Sequence, residues 1–344
     1  MLKNNRLQFA MKQRSRILLV LAVFILTLLG GCGGTISTST PETVVTQSTA
    51  TVAASTTATI APTVTTATSP VTPSLLTNSE EFQLRLAGIT TDIYIPSGLE
   101  LTEQAQVLVV LHGMKGNGEA MVRDMKQFAE QYKWILFAPT FNYQTDYMNT
   151  QVITQEDPLL LGQLNEMLDD LPKAIGIAIQ PKRLMYGFSR GAQLAHRYAL
   201  LYPEKTLAVT TIAAGSYTLP FTNLNDLNLK VTKVNNSNNL LPFPFGMSDS
   251  VKISGHPFNQ SAFKKVNFWL EVGDQDTKNS DVPRDFDGYQ GTNRLERAKA
   301  FYGALKQVGN NVSLHIYPNV GHAISAEMRQ QACNFFRSVG QIKG

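Results

Sequence analysis

Cysteine is almost missing from this chain: 344 residues hold two, Cys32 and Cys333. A disulfide-stapled scaffold is therefore excluded, and stability has to come from apolar burial. Charge is also scarce, at 16% of residues, and nearly balanced, with 30 Lys and Arg against 26 Asp and Glu. Five of those cations, Lys3, Arg6, Lys12, Arg14 and Arg16, stand before residue 17 with no acid among them. Without them the count is 25 cations to 26 acids, a net charge of −1, which gives no electrostatic reason to expect nucleic acid as a partner. From Thr35 to Asn78 charge all but disappears, Glu42 being its sole representative, and large apolar side chains are few. Such a Ser/Thr/Ala/Val/Pro-rich stretch cannot offset its ordering entropy and is expected to be a disordered tether, open to glycosylation. No internal repeat is visible.

The basic N-terminal residues precede Ile17 to Leu29, a run of 13 residues that is apolar except for Thr27. That layout is expected of a secretory signal and is short for a membrane-spanning helix. It ends in Leu29-Gly30-Gly31-Cys32, which resembles the lipobox of bacterial lipoproteins. The resemblance implies cleavage before Cys32, lipidation of that cysteine, and a protein held by its lipid on the extracytoplasmic face of a membrane. An uncleaved anchor with an incidental cysteine is the alternative, and it places the rest of the chain outside the cytoplasm as well. The expected organisation is a signal peptide over residues 1–32, a linker over 33–79 and one folded domain over 80–344.

Within that domain, Phe82 to Ala87 and Thr91 to Pro96 read as a hairpin turning near Gly88. Val107 to Leu111 is a continuous apolar run, as expected of a parallel strand covered on both faces. It is followed by the loop His112-Gly113-Met114-Lys115-Gly116-Asn117-Gly118 and a helix over Glu119 to Gln131. Further strands are expected at Trp134 to Ala138, Arg183 to Gly187, Leu207 to Ala213, Asn267 to Val272 and Val312 to Tyr317. Helices are expected within Leu159 to Ala178, interrupted near Pro172, and at Gln193 to Tyr202, Arg294 to Val308 and Ala323 to Val339. Alternating strands and helices predict a mostly parallel α/β sheet with helices on both faces. Tyr217 to Val266 breaks this rhythm, and it forms an insert between the sixth and seventh strands.

Gly187-Phe188-Ser189-Arg190-Gly191 sits between an expected strand and an expected helix. A G-x-S-x-G turn at such a junction exposes the serine above the sheet edge, and its glycines let strand and helix backbones approach. The following helix directs free N–H groups toward the site, where they favour a developing oxyanion.

A serine hydroxyl needs a base, and five histidines are available. His196 lies seven residues beyond Ser189 on the same expected helix and points away. His315 is inside a strand, His256 is in the insert, and His112 opens the glycine-rich loop, where it could orient that loop. His322, in Gly321-His322 after the last strand, falls on the sheet edge that carries Ser189 and is favoured as base. Asp274 and Asp276 in Gly273-Asp274-Gln275-Asp276 both follow a strand. Asp276, one loop turn further out, is favoured as the partner of the imidazole, with Asp274 the alternative.

At these residues the chain resembles the α/β-hydrolase superfamily over about residues 80 to 344. The likeness rests on the Leu111-His112-Gly113 loop, the Gly187 to Gly191 elbow, the Gly273 to Asp276 turn, the Gly321-His322 ending, and the order Ser, Asp, His. Within the superfamily it resembles exported polyhydroxybutyrate-depolymerase-like and feruloyl-esterase-like carboxylesterases, though it lacks the disulfides of several secreted members. The resemblance implies acyl transfer through Ser189, Asp276 and His322, with the backbone N–H groups of Met114 and Arg190 as oxyanion hole. It implies a carboxylic ester as substrate, a polyester or aryl ester among the candidates, and no metal or other cofactor. Two other readings stay open: a serine peptidase of the prolyl-oligopeptidase kind, against which stands the absence of propeller-like repeats, and a catalytically silent surface-binding lipoprotein.

Two further expectations concern loops. The insert is expected to wall the substrate cleft with Phe243 and Phe245, the alternative being that Leu240 to Phe245 seals the insert onto the core. The acids Asp281, Asp285 and Asp287 lack the ligand spacing of a calcium loop and are expected on a solvated face.

Overall fold

The computed structural model describes residues 75–228 and 239–340. The expected signal peptide, Cys32 and the linker up to residue 74 lie outside the described residues. Eight strands form one sheet in the order β1-β2-β4-β3-β5-β6-β7-β8. They are β1 (Glu80–Leu86), β2 (Ile89–Ile95), β3 (Val107–Leu111), β4 (Ile135–Pro139), β5 (Arg183–Phe188), β6 (Thr206–Ile212), β7 (Asn267–Gly273) and β8 (Val312–Tyr317). β1 and β2 make the antiparallel hairpin, β2 runs antiparallel to β4, and every later pairing is parallel. The hairpin turns at Ala87 and Gly88, both with positive φ, as a two-residue connection between twisted strands requires.

The longer helices are α1 (Gly118–Tyr132), α2 (Thr150–Ile175), α3 (Arg190–Leu201), α4 (Arg294–Val308) and α5 (Ala326–Gly340). They explain why β3 is apolar at every position. Val107, Val109 and Leu111 join a core shared with Leu164 and Leu168 of α2, Tyr198 of α3 and Phe301 of α4. Leu108 and Val110 face the other way, into a second core with Met125 and Phe128 of α1 and Phe336 of α5. Alternate side chains of one strand thus feed two helical layers. Cys333 is buried in the second core, as expected of a small residue in the last helix.

α2 differs from the sequence expectation. It starts at Thr150, nine residues early, and runs through Pro158 and Pro172 without interruption. Its buried Ile153, Leu160, Leu161, Leu164, Met167, Leu168 and Leu171 form one long apolar stripe, whose burial outweighs the lost backbone bonds. The Asn149 side chain accepts from Gln151 N–H at its start, and Gly176 ends it in left-handed conformation. Pro172 cannot donate to the carbonyl of Leu168; the guanidinium of Arg183 donates to it instead, at 3.3 Å.

Glu271 on β7 is fully buried, and both Trp269 Nε1 and the Tyr317 hydroxyl donate to its Oε1, at 2.9 and 2.7 Å. Burial pushes its carboxyl up to about 8, against the opposing pull of these two donors. A carboxyl raised in the folded state contributes stability that is complete below its unfolded value of 4.5 and is lost as pH rises toward 8. Stability measured by denaturant titration is therefore expected to fall between pH 5 and 8 by on the order of a few kcal/mol. Glu271→Gln, which stays neutral, is expected to flatten that slope. A slope unchanged in the variant would assign it to other groups.

Candidate active site

Ser189 sits between β5 and α3 with φ 52° and ψ −113°, a conformation that non-glycine residues rarely adopt. The flanking glycines are required by close backbone approach. A Cβ on Gly187 would collide with the carbonyl of Gly191, and one on Gly191 would collide with the carbonyls of Leu111 and His112. The elbow is thus wedged against the end of β3. Ser189 N–H donates to Ile212 O of β6 at 2.8 Å, which fixes the turn from the other side.

The acid turn and the histidine loop meet in the same way. A Cβ on Gly273 would overlap the carbonyl of Val320, Asp274 N–H donates to Tyr317 O at 2.9 Å, and Gln275 N–H donates to Val320 O at 3.0 Å. These contacts carry the Asp276 side chain inward, to 2% exposure, and leave Asp274 in solvent. Asp276 Oδ2 lies 2.9 Å from His322 Nδ1, and His322 Nε2 lies 3.0 Å from Ser189 Oγ. The structure brings together the three side chains favoured from the sequence, in hydrogen-bonding order. With an acceptor at Nδ1, that nitrogen carries the ring proton and Nε2 is free to take the serine proton. The Phe188 ring stacks on His322, with centroids 5.0 Å apart and planes at 25°, so the imidazole is held on two sides.

The loop after β3 lies beside the serine, since a Cβ on Gly113 would stand 3.3 Å from Ser189 Cβ and 3.0 Å from Phe188 Cδ1. Met114 and Lys115 occupy the centre of a turn closed by Gly116 N–H donating to Gly113 O at 3.1 Å. His112 orients this loop. Its Nδ1 is 2.7 Å from Gly113 O and its Nε2 accepts from Phe141 N–H at 3.0 Å, which places the ring proton on Nδ1. Burial lowers its affinity for a second proton. The Tyr143 hydroxyl donates to His112 O at 3.1 Å.

Arg190, whose N–H opens α3, turns its side chain away from the serine into a buried network. Its guanidinium pairs with Asp157 and with Glu156 of α2, and Asp157 also pairs with Arg197. Burial works against the charge of Asp157, and the two guanidiniums outweigh it, holding the carboxyl below its usual range. Arg190 also lies over the Tyr143 ring at 5.2 Å. One set of contacts therefore braces both segments expected to supply oxyanion donors, Met114 and Arg190.

The remaining histidines are accounted for elsewhere. His196 is buried in α3, with Nδ1 2.9 Å from Ala192 O and Nε2 accepting from Thr218 N–H at 2.9 Å. His315 stacks on Trp269 at 3.7 Å, and its buried Nε2 has no partner among the described residues. His256 lies against Tyr202, with ring centroids 6.0 Å apart.

Two sequence expectations are corrected. Phe243 is 4% exposed and carries Arg197 over its ring, while Phe245 packs between Phe286 and Tyr289, each 4.8 Å away. Phe243, buried, and Phe245, half-buried, pack against the core, which is the alternative in which this segment seals the insert onto it. Of the acidic run, Asp285 is exposed as expected, while the other two acids are half-buried and paired. Asp281 pairs with Arg294, and Asp287 with Arg284 and Arg297. Among the described residues no His, Cys, Asp and Glu cluster is arranged to hold a metal ion.

Four residues to which the sequence assigns no role in the site also stand there: Phe188 of the elbow, Asp281 of the acidic run, Arg294 and Tyr147. Arg294 Nη1 is 3.4 Å from Asp276 Oδ1 and 3.1 Å from Asp281 Oδ2, and the Tyr147 hydroxyl donates to Asp281 Oδ1 at 2.8 Å. One signal could have found Arg294: a cation at the first position of a helix opposes the helix dipole and calls for a specific anionic partner.

No protein-family model matches the sequence, and no curated protein matches it. Solved structures do resemble it. A poly(aspartic acid) hydrolase from Sphingomonas sp. KT-1 is 20% identical with a TM-score of 0.54, over 76% of this chain and 97% of that one. A poly(3-hydroxybutyrate) depolymerase from Bordetella parapertussis is 21% identical with a TM-score of 0.51, over 77% and 90%. A protein from Thermus thermophilus is 16% identical with a TM-score of 0.52, over 77% and 100%. With its elbow, acid turn and histidine loop all at one edge of a mostly parallel sheet, the chain has the α/β-hydrolase fold.

Proposed function

We propose that this protein is a serine hydrolase of carboxylic esters. The observation that carries the reading is the continuous contact from Asp276 through His322 to Ser189, ending on a serine held at positive φ. In the proposed reaction Ser189 Oγ attacks the ester carbonyl as His322 Nε2 takes its proton. Asp276 stabilises the imidazolium, and the Met114 and Arg190 N–H groups receive the charge forming on the carbonyl oxygen. The imidazolium then protonates the leaving alcohol, and an acyl group remains on Ser189. Water, deprotonated by His322, attacks that acyl carbon, the bond to Ser189 Oγ breaks, and the imidazolium returns its proton to Oγ as the acid leaves. Every proton moves between Ser189, the substrate, water and one imidazole, so no step calls for a cofactor.

A series of p-nitrophenyl esters of increasing acyl length, run beside a peptide substrate and a polyester suspension, tests the substrate class. Hydrolysis of the esters with no peptide cleavage is expected. Faster peptide cleavage would favour the peptidase reading, and turnover of none of them the silent binding protein.

Export and lipid anchoring through Cys32 belong to the same proposal, supported by the basic, apolar and small-residue order of residues 1–32. Cys32→Ser is expected to move the protein from the membrane fraction to the soluble fraction, because stable attachment would depend on the acyl chains at that position. Full retention with membranes would mean that residues 17–29 stay as an anchor.

A further inference from the structure

Arg294 opens α4 where the helix dipole disfavours a cation, and the residue is only 4% exposed. Two carboxylates meet it there. Nη1 stands 3.4 Å from Asp276 Oδ1 and 3.1 Å from Asp281 Oδ2, while Nη2 donates to the Asp281 carbonyl at 2.8 Å. Asp276 Oδ2 is left for His322 Nδ1, so the two oxygens of one carboxylate have different partners. Asp281 is itself held by the hydroxyl of Tyr147, from the segment before α2. Partial burial works against the charge of Asp281, but the Tyr147 hydroxyl and Arg294 outweigh it and keep the carboxyl below its usual range.

We propose that Arg294 is a positioning residue for Asp276, and that the Arg294–Asp281 pair sets how strongly the site holds a proton on His322. The proposal rests on the reading of Ser189, His322 and Asp276 as the reacting groups. At 3.4 Å the contact to Asp276 is longer than a strong charge-assisted hydrogen bond, so its effect is chiefly electrostatic. The charges facing the imidazole from the surrounding elements are Asp276 from the turn after β7, Asp281 from the segment beyond it, and Arg294 from α4. Tyr147 and Tyr217 are neutral there: Tyr147 is raised first by its bond to Asp281, Tyr217 by burial. Arg297, the next cation along α4, is paired with Asp287. Two carboxylates and one guanidinium leave a single net negative charge. That charge is enough to orient and stabilise an imidazolium during the reaction. A second uncompensated carboxylate would favour the protonated imidazole, the form that cannot take the serine proton.

The consequence is a pair of variants with opposite signs. Removing the cation with Arg294→Met is expected to shift the acid-side midpoint of the kcat/KM profile upward by about 0.5–1 pH unit, and to lower kcat/KM at its plateau by about 10–100-fold as Asp276 loses its fixed orientation. Removing the anion with Asp281→Asn is expected to shift that midpoint downward. Arg294→Lys, which keeps the charge without the fork, is expected to restore the midpoint while recovering only part of the plateau. Rates are normalised to the fraction of Ser189 titrated by a fluorophosphonate, so loss of folded protein does not enter. A purely structural arginine would lower stability and leave the midpoint in place in all three variants, and shifts of the same sign in Arg294→Met and Asp281→Asn would overturn the proposal too. If Arg294→Met does not fold, Asp281→Asn still decides it, since a downward midpoint supports the proposal and an unmoved or upward one overturns it. A wild-type protein that hydrolyses esters without fluorophosphonate reaction at Ser189 would refute instead the reading on which this proposal rests, and the proposal with it.

Discussion

Ser189→Ala is expected to lower ester turnover by on the order of 10⁶-fold, the loss typical when the nucleophile of a serine triad is removed. The change deletes one oxygen at a position only 8% exposed, whose backbone is fixed by Gly187, Gly191 and the bond to Ile212 O. The melting temperature should therefore change little or rise, since the variant sheds a polar atom and keeps the wedge. Turnover within tenfold of wild type would remove Ser189 from the mechanism.

The second large effect separates the two acids of the turn. Asp276→Asn is expected to lower kcat by on the order of 10⁴-fold, because an amide cannot both stabilise the imidazolium and hold the proton on Nδ1. Asp274→Asn is expected to stay within a few-fold of wild type, since that side chain stands in solvent and its backbone N–H, which the substitution preserves, makes the structural bond to Tyr317 O. Steady-state kinetics of both variants on one ester check the ranking, and the reverse order would hand the role to Asp274.

What could be read in the sequence was what local pattern controls. Val107 to Leu111, Arg294 to Val308 and Val312 to Tyr317 lie where period and apolar content put them, because each is buried by one or two faces of a single element. The elbow could be read because glycine spacing there answers a backbone collision, which depends on residue type alone. α2 was misjudged at its start because a proline inside a helix is a local penalty, whereas the stripe of leucines that overrides it gains only in the assembled core. Phe243 and Phe245 were misplaced for the related reason that an apolar side chain in a loop does not say which apolar surface will cover it. Arg294, Asp281 and Tyr147 converge from three separate segments, and no spacing in the chain announces that meeting.

The most direct test of the account is covalent. The full chain is treated with a fluorophosphonate and digested, and the modified peptide is sequenced by mass spectrometry, for wild type and for His322→Gln. The account predicts one adduct per chain, on Ser189, formed rapidly by wild type and slower by orders of magnitude in His322→Gln. An unmodified Ser189 in protein that still hydrolyses esters, or an equal rate of labelling without His322, would contradict it.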